Sequence, residues 1–486
     1  MSSACTRSPV GHAAGAAAAT TSPPVATLDL AYDTPAIAGT EAHATATGLP
    51  AGQTIDLVWG TVTGGWVVED YYHFRGKKYS ESTTPLGRFA VDAAGRLDAR
   101  FVVPEDYGGV HEVIARVGGT LVAQGAINLT QTFAMTPASG PPGTPIELKI
   151  TGLGWRTMES TWVVNWDNQE LGFVSAASTR GSAVARFRAT GGTGDHIVKL
   201  YTGWQGLGYL NYEQSPVAAL PRPQFTFHTT PGVTGDTAYV EPYQPQPIPN
   251  SESAGAAPSV APRVTLSPTQ GAVGTHAALK GEGFVPGATL RLAWETAVGS
   301  RVTDAGFAPQ DNAIGEVVAD AAGRFERALT VPDDLGGVHG VAIRRGDDLV
   351  ARAHFVIETS LVDVSPRSGP AGTPVTIHLK GVGWTEYDNI YVATYDNAYM
   401  GYACGFNTAG DVVIHFTAAG APGVHLIDLY PGIYQGPDGG QQLYRLPQLT
   451  YADDHPGNKI PALRFAFEVT PGPTRGNTPR LTGDTQ

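Results

Sequence analysis

Cysteine is nearly absent. The 486 residues contain two, Cys5 and Cys404. That is too few for a disulfide framework, and neither stands in a metal-ligand spacing. Charge is also sparse: Asp, Glu, Lys and Arg make up 15% of the chain, against about 25% in an average soluble domain. Long salt-bridged helical faces are therefore not encoded. Basic residues are the scarcer sign. The net charge of −13 argues against a nucleic-acid partner, which needs Lys and Arg to displace phosphate counterions, and it disfavours electrostatic docking to anionic lipid. No stretch of eighteen apolar residues occurs, so no transmembrane helix is encoded. Gly-x-Ser-x-Gly, His-Glu-x-x-His and Gly-x-x-x-x-Gly-Lys are all missing, which leaves no signature for a nucleophile, a zinc protease or a phosphate loop. The expectation is a protein without a catalytic residue, metal or cofactor.

What the chain has instead is turn chemistry. Gly (61) and Pro (37) account for about a fifth of it, against about 12% on average. The apolar fraction of 42% is too high for disorder. The apolar segments are short and alternate. In Thr373-Pro-Val-Thr-Ile-His-Leu-Lys380, Val375, Ile377 and Leu379 share one face and Thr376, His378 and Lys380 the other. Thr144-Pro-Ile-Glu-Leu-Lys-Ile150 repeats the pattern. Gly-Thr turns precede these strands and Gly-x-Gly turns follow them. Strands at roughly 8–12-residue spacing argue for β-sandwiches, and the length allows three to five domains.

The chain is internally duplicated. Val103-Pro-Glu-Asp-Tyr-Gly-Gly-Val-His111 returns as Val331-Pro-Asp-Asp-Leu-Gly-Gly-Val-His339, an offset of 228. Gly152-Leu-Gly-Trp155 returns as Gly381-Val-Gly-Trp384, an offset of 229. A weaker echo, Gly-Thr strand starts near Gly39, Gly143, Gly274 and Gly372, lies within each half. The order is domain A, domain B, A again, B again. The boundaries fall at 25–131, 132–232, 262–358 and 359–472. Residues 1–24 form a low-complexity tether, 233–261 a Pro/Ser/Ala-rich linker and 473–486 a disordered tail.

Ser365-Pro-Arg-Ser-Gly-Pro-Ala-Gly-Thr-Pro-Val-Thr-Ile-His-Leu-Lys-Gly-Val-Gly-Trp384 resembles the opening of the IPT/TIG immunoglobulin-like family, as do Met135 to Trp155 and Leu266 to Phe284. Domain one departs from it, with Asp33-Thr-Pro-Ala where Ser-Pro would stand. The resemblance implies four tandem immunoglobulin-like sandwiches, all-β, on a secreted or cell-surface protein. It is nearly silent on function, since such modules host unrelated roles. Ser3-Ala-Cys5 resembles the end of a bacterial lipoprotein signal, in which Cys5 would be acylated. Ser2 stands where Leu is usual and no apolar stretch precedes it, so Cys5 as an ordinary cysteine stays open.

Gly-x-His opens a strand once per domain, at His111, His196, His339 and His425. Four domains separate these residues, so no single metal gathers them. They are expected to fill the corner that Tyr occupies in many such sandwiches, with a ring nitrogen donating to a backbone carbonyl. Asp167-Asn168 and Asp396-Asn397 are expected in tight hairpins rather than at calcium, which needs six to eight converging oxygens.

The functional signal is aromatic. The F–G loop of domain two carries Trp204, Tyr209 and Tyr212, and that of domain four, about eleven residues longer, carries Tyr434 and Tyr444. Domain one has an excess of about seven residues around Trp66, Tyr71 and Tyr72. Exposed rings of this kind stack on sugars or anchor protein contacts. The competing reading is that they pack at domain junctions. The expected function is noncatalytic binding of a glycan or protein at the cell surface. A structural spacer or self-assembling subunit is the alternative, and an enzyme accessory the third reading.

Overall fold

The computed structural model describes residues 25–69, 73–204, 207–211, 213, 220–242, 262–300, 306–405, 409–433, 446–457 and 460–475. Their regular elements are all β-strands. They form eight sheets, which pack in facing pairs, each three-stranded sheet against a larger one. Four buried clusters lie between the pairs.

The second pair illustrates the plan. Thr132–Thr136, Pro145–Thr151 and Ala183–Arg188 make the small sheet. Ser139–Gly140, Gln224–Thr229, Gly194–Trp204, Trp162–Trp166 and Gln169–Val174 make the large one. The chain leaves the small sheet after Thr136 and joins the large one by parallel pairing of Ser139 with His228, the strand order of an immunoglobulin-like sandwich. The alternation read from sequence is realised: Ile146, Leu148 and Ile150 are buried, as are Val375, Ile377 and Leu379 in the fourth pair. Their polar neighbours leave the core because successive side chains point to opposite faces. Asp167-Asn168 and Asp396-Asn397 take positive φ at both residues, the type I′ geometry that matches strand twist.

Each of the four histidines lies flat on an aromatic ring of a central strand. His111 stacks on Trp59 at 4.6 Å, His339 on Trp294 at 4.9 Å, His196 on Trp166 at 5.1 Å and His425 on Tyr395 at 5.5 Å. In every case Nε2 lies 2.6–2.8 Å from the carbonyl four residues upstream, those of Tyr107, Leu335, Gly192 and Ala421. The second ring nitrogen separates the two kinds of domain. In the A domains it meets a backbone carbonyl, Gly60 or Glu295. In the B domains it meets the hairpin aspartate, Asp167 or Asp396, at 2.5 Å. That carboxylate holds the His425 imidazole above the ordinary histidine value, against the opposing effect of burial.

The sandwiches are not separate beads. Within the stretch read as a linker, Tyr239–Val240 pairs with Leu463 and Arg464 and extends the large sheet of the fourth sandwich. The core cluster of the second sandwich also takes in Tyr430, Leu449, Tyr451 and Ala462, which belong to the fourth.

Candidate functional site

Two places in the structure concentrate polar and aromatic residues. The larger is a clasp between the second and fourth sandwiches. The side of the second sandwich, between its edge strands Gln169–Val174 and Ala183–Arg188, is covered by the F–G loop of the fourth. Phe173 N–H donates to Pro447 O at 2.8 Å, Leu449 N–H to Phe173 O at 2.8 Å, and Arg186 N–H to Leu449 O at 2.9 Å. The loop thus pairs with an edge strand whose main-chain groups would otherwise face solvent. Gly172 permits the approach, since a Cβ there would lie 2.4 Å from Pro447 O.

Beneath the loop lies a buried ion cluster. Asp428 accepts hydrogen bonds from Arg188 and Arg464, and all three side chains are at most 2% exposed. Arg464 also donates to Glu241 at 2.7 Å, Arg188 donates to Thr237 O at 2.7 Å and Phe465 O at 3.0 Å, and Asn397 Nδ2 donates to Arg188 O at 2.7 Å. Burial pushes the Asp428 carboxyl up, but the two guanidiniums outweigh it and hold it below the ordinary aspartate value. This fits a buried charge that is paired and fully hydrogen-bonded.

Asp454 ties a third domain in. Its Oδ2 accepts from Ser175 Oγ (2.7 Å) and Ala177 N–H (2.8 Å). Its Oδ1 accepts from both donors of Ser178 and from Trp66 Nε1 at 3.0 Å. Trp66 sits on the long hairpin of the first sandwich, Thr54–Glu69 and His73–Ala90. Farther along that hairpin, Phe74 packs with Phe173, Ile433 and Leu446 in a small buried cluster, and its N–H donates to Glu386 at 2.5 Å. Lys77, 5.1 Å over the Trp66 ring, donates to Ser160 O and Thr161 Oγ1. Burial pushes its amine down to about 8 despite Asp454 nearby. So the insertion of the first sandwich and the insertion of the fourth meet each other.

The second place is the joint between the third and fourth sandwiches. A cleft of about 340 Å³ lies there, lined by Glu295, Phe307, His339, Arg352, His354 and Trp384 among others. Trp384 leans on Phe307 (5.4 Å) and Arg352 pairs with Glu295 at 2.8 Å. In the first–second joint the matching Trp155 instead packs on His111 and Tyr107. The carboxylate changes strands between copies. Glu295 pairs across to Gly340, whereas in the first sandwich Gly60 faces Glu112.

Of the aromatic candidates, Trp66 is half-buried in the clasp. Trp204 ends the strand Gly194–Trp204. Tyr209 is half-buried and its N–H donates to Thr202 O at 2.8 Å. Tyr71, Tyr72, Tyr212, Tyr434, Tyr444 and Cys5 lie outside the described residues. Cys404 is a half-buried cysteine on the edge strand of the fourth sandwich. No group of His, Cys, Asp and Glu among the described residues could hold a metal ion, and no described helix is long and apolar enough to cross a membrane. Sequence reasoning missed Arg188, Asp428, Asp454 and Arg464. The available signal was their failure to repeat: Thr417 and Lys199 stand 229 residues from Arg188 and Asp428.

No family model matches the chain, and no curated protein matches it. Among solved structures, Salmonella alpha-2-macroglobulin reacted with methylamine is 10% identical over 92% of this chain, with a TM-score of 0.18. This chain spans 31% of that one's length. A tetra-tandem repeat from the extending region of a large adhesion protein is 13% identical, covering 92% of this chain and all of that one, at a TM-score of 0.19. An ICAM-5 ectodomain fragment is 14% identical over 86% and 96% of the two chains, at 0.17. At such TM-scores these likenesses carry no argument for function.

Proposed function

We propose that this chain is a noncatalytic, extracytoplasmic scaffold: four immunoglobulin-like sandwiches (25–131, 132–232, 262–358 and 359–472) in a duplicated A–B order, fastened into one body that offers its surface to a protein partner. The observation that carries this reading is the meeting of the two copy-specific insertions at one clasp, Trp66 and Phe74 against Ile433, Leu446 and Asp454. The residues by which the copies differ most are engaged in holding the halves together. The resemblance to surface modules supports the location. Among the described residues of the second sandwich's F–G loop the exposed large apolar side chains are Leu207 and Leu210, which are aliphatic and suit a protein contact better than stacking on a sugar.

The test has two arms. Protease added to intact cells should cleave the chain, and small-angle scattering of the purified chain should give a single compact particle rather than an extended string. Protection from protease, or an extended profile, would overturn the reading.

A further inference from the structure

The cleft between the third and fourth sandwiches lies on the outer face of the third sandwich's large sheet. Glu295, Gly340 and His354 stand directly opposite one another on three adjacent strands, Thr289–Gly299, Gly337–Arg345 and Asp348–Ile357. Their chain neighbours Trp294, Val341 and Phe355 point into the core, so this row points outward, and Arg352, two residues before His354, shares its face. The middle position accepts only glycine, since a Cβ there would lie 1.8 Å from Glu295 Oε2. The carboxylate thus lies over bare backbone, with the imidazole beyond it. Trp384 of the fourth sandwich and Phe307 of the hairpin wall the cleft, and all of its lining residues are among the described ones.

None of these polar groups recurs in the first sandwich. Gly60, Gln124 and Ala126 stand where Glu295, Arg352 and His354 do. Leu335 stands for Tyr107, the ring against which Trp155 packs in the other joint. The polar row and the turned tryptophan belong to this copy alone.

Arg352 Nε and Nη2 both donate to Glu295 Oε1, at 3.2 and 2.8 Å. Arg352 Nη1, Glu295 Oε2 and both ring nitrogens of His354 make no hydrogen bond among the described residues. The two side chains of the ion pair are 38% and 22% exposed, so solvent reaches both. Burial, helped by Arg352, pushes the His354 imidazole below the ordinary histidine value against the pull of Glu295. Near neutral pH one of its nitrogens donates and the other accepts. The acid and the base cancel, which leaves the cleft without net charge. An ion would have to break that pair to gain a partner, whereas a neutral molecule would not.

We propose that this cleft is a binding site for a neutral sugar ring. A sugar hydroxyl both donates and accepts, so neighbouring hydroxyls match Arg352 Nη1, Glu295 Oε2 and a His354 nitrogen together. The C–H face of the ring packs on Trp384 or Phe307. The volume of about 340 Å³ falls within the ~300–1,000 Å³ of small-ligand sites, which favour domain interfaces and combine ring walls with a few converging polar groups. This site goes beyond the scaffold reading and does not depend on it.

The experiment is isothermal titration of the full chain with cellotetraose, maltotetraose, mannotetraose and chitotetraose, and with N-acetyltryptophanamide and tetragalacturonic acid as the aromatic and anionic alternatives. It is repeated on Arg352→Gln and His354→Ala. These install the residues that the first sandwich carries at the same positions, and an unchanged melting temperature certifies that each variant folds. The expected result is saturable binding of at least one neutral tetrasaccharide, insensitive to salt and weakened about tenfold or more by each variant, the loss of one hydrogen bond to a polar or charged group. No binding of any neutral tetrasaccharide, binding undiminished in either variant, or stronger binding of either alternative probe would each overturn the proposal. A chain that binds no sugar yet scatters as a compact particle would leave the scaffold reading standing.

Discussion

Between the first and second sandwiches, a Cβ added to Gly108 would lie 2.0 Å from Gly152 O; between the third and fourth, Gly336 stands in the same relation to Gly381. The amide of Gly108 donates to Leu153 O and that of Gly336 to Val382 O. At these glycines the two A–B joints make the same contact twice, although Trp155 and Trp384 pack differently beside it. The lateral edges of the two B sandwiches began as the same object and no longer are, since Leu171 and Phe173 are buried in one and the matching Met400 and Tyr402 are partly exposed in the other. A contact whose two sides lie within the duplicated unit is copied whole. A contact between the copies uses the loop of one and the edge of the other, so it breaks the equivalence and frees the remaining loop and edge to diverge.

The comparison can be broken most sharply at the ion cluster. Asp428→Ala leaves Arg188 and Arg464 buried without their carboxylate and should cost about 3–5 kcal/mol, read by chemical denaturation. Because the folded Asp428 titrates below its unfolded value of about 3.9, its contribution is present above that value and is lost as pH falls through the lower folded one. The clasp should therefore be intact at about pH 5. Next comes the divergence of the edges. Leu171→Ala should cost about 2–5 kcal/mol, and Met400→Ala, at the equivalent exposed position, less than about 0.5 kcal/mol. Equal losses would mean that the two edges are equally covered.

The sameness of the joints is sharpened by Gly108→Ala and Gly336→Ala. Each should lose about 3 kcal/mol, the upper part of the overpacking range, because a backbone oxygen cannot move aside as a side chain can. A gap between the two larger than about 1 kcal/mol would show that the joints are not equivalent. A smaller and pH-dependent effect lies at the corners. His425→Ala should destabilise by about 1–3 kcal/mol at low pH. The folded His425 has a raised affinity for its proton, so its stabilisation is fully present below about pH 6.5 and lost as pH rises through the folded value. Asp396→Asn should flatten that slope in a melting series, and an unaltered slope would disconnect the histidine from its aspartate.

The architecture was legible because its signals are local. Period-two alternation at Ile146, Leu148 and Ile150, positive-φ residues at Asp167-Asn168 and repeated Gly-Thr turns each bear on a single strand or turn. The clasp was not legible, because its members lie far apart in sequence and carry no motif. Asp453-Asp454 carries no motif, yet Asp454 binds Ser175, Ser178 and Trp66, and Asp453 binds Val184 N–H and Arg186. Its trace in the sequence was the pair of insertions, one near Trp66 and one before Asp454, each visible as a change of offset. That they face each other is a fact of three-dimensional packing that no periodicity encodes.

The wall of the second sandwich supplied by Tyr430, Leu449, Tyr451 and Ala462 also sets an order of events during synthesis. The second sandwich emerges early, with all its own strands, but its core stays open on one side until the entire third sandwich and most of the fourth have followed. A chain made from the N-terminus must carry that apolar flank uncovered across most of its second half. Any stall in translation between Thr229 and Ala462 holds the protein at its most adhesive stage.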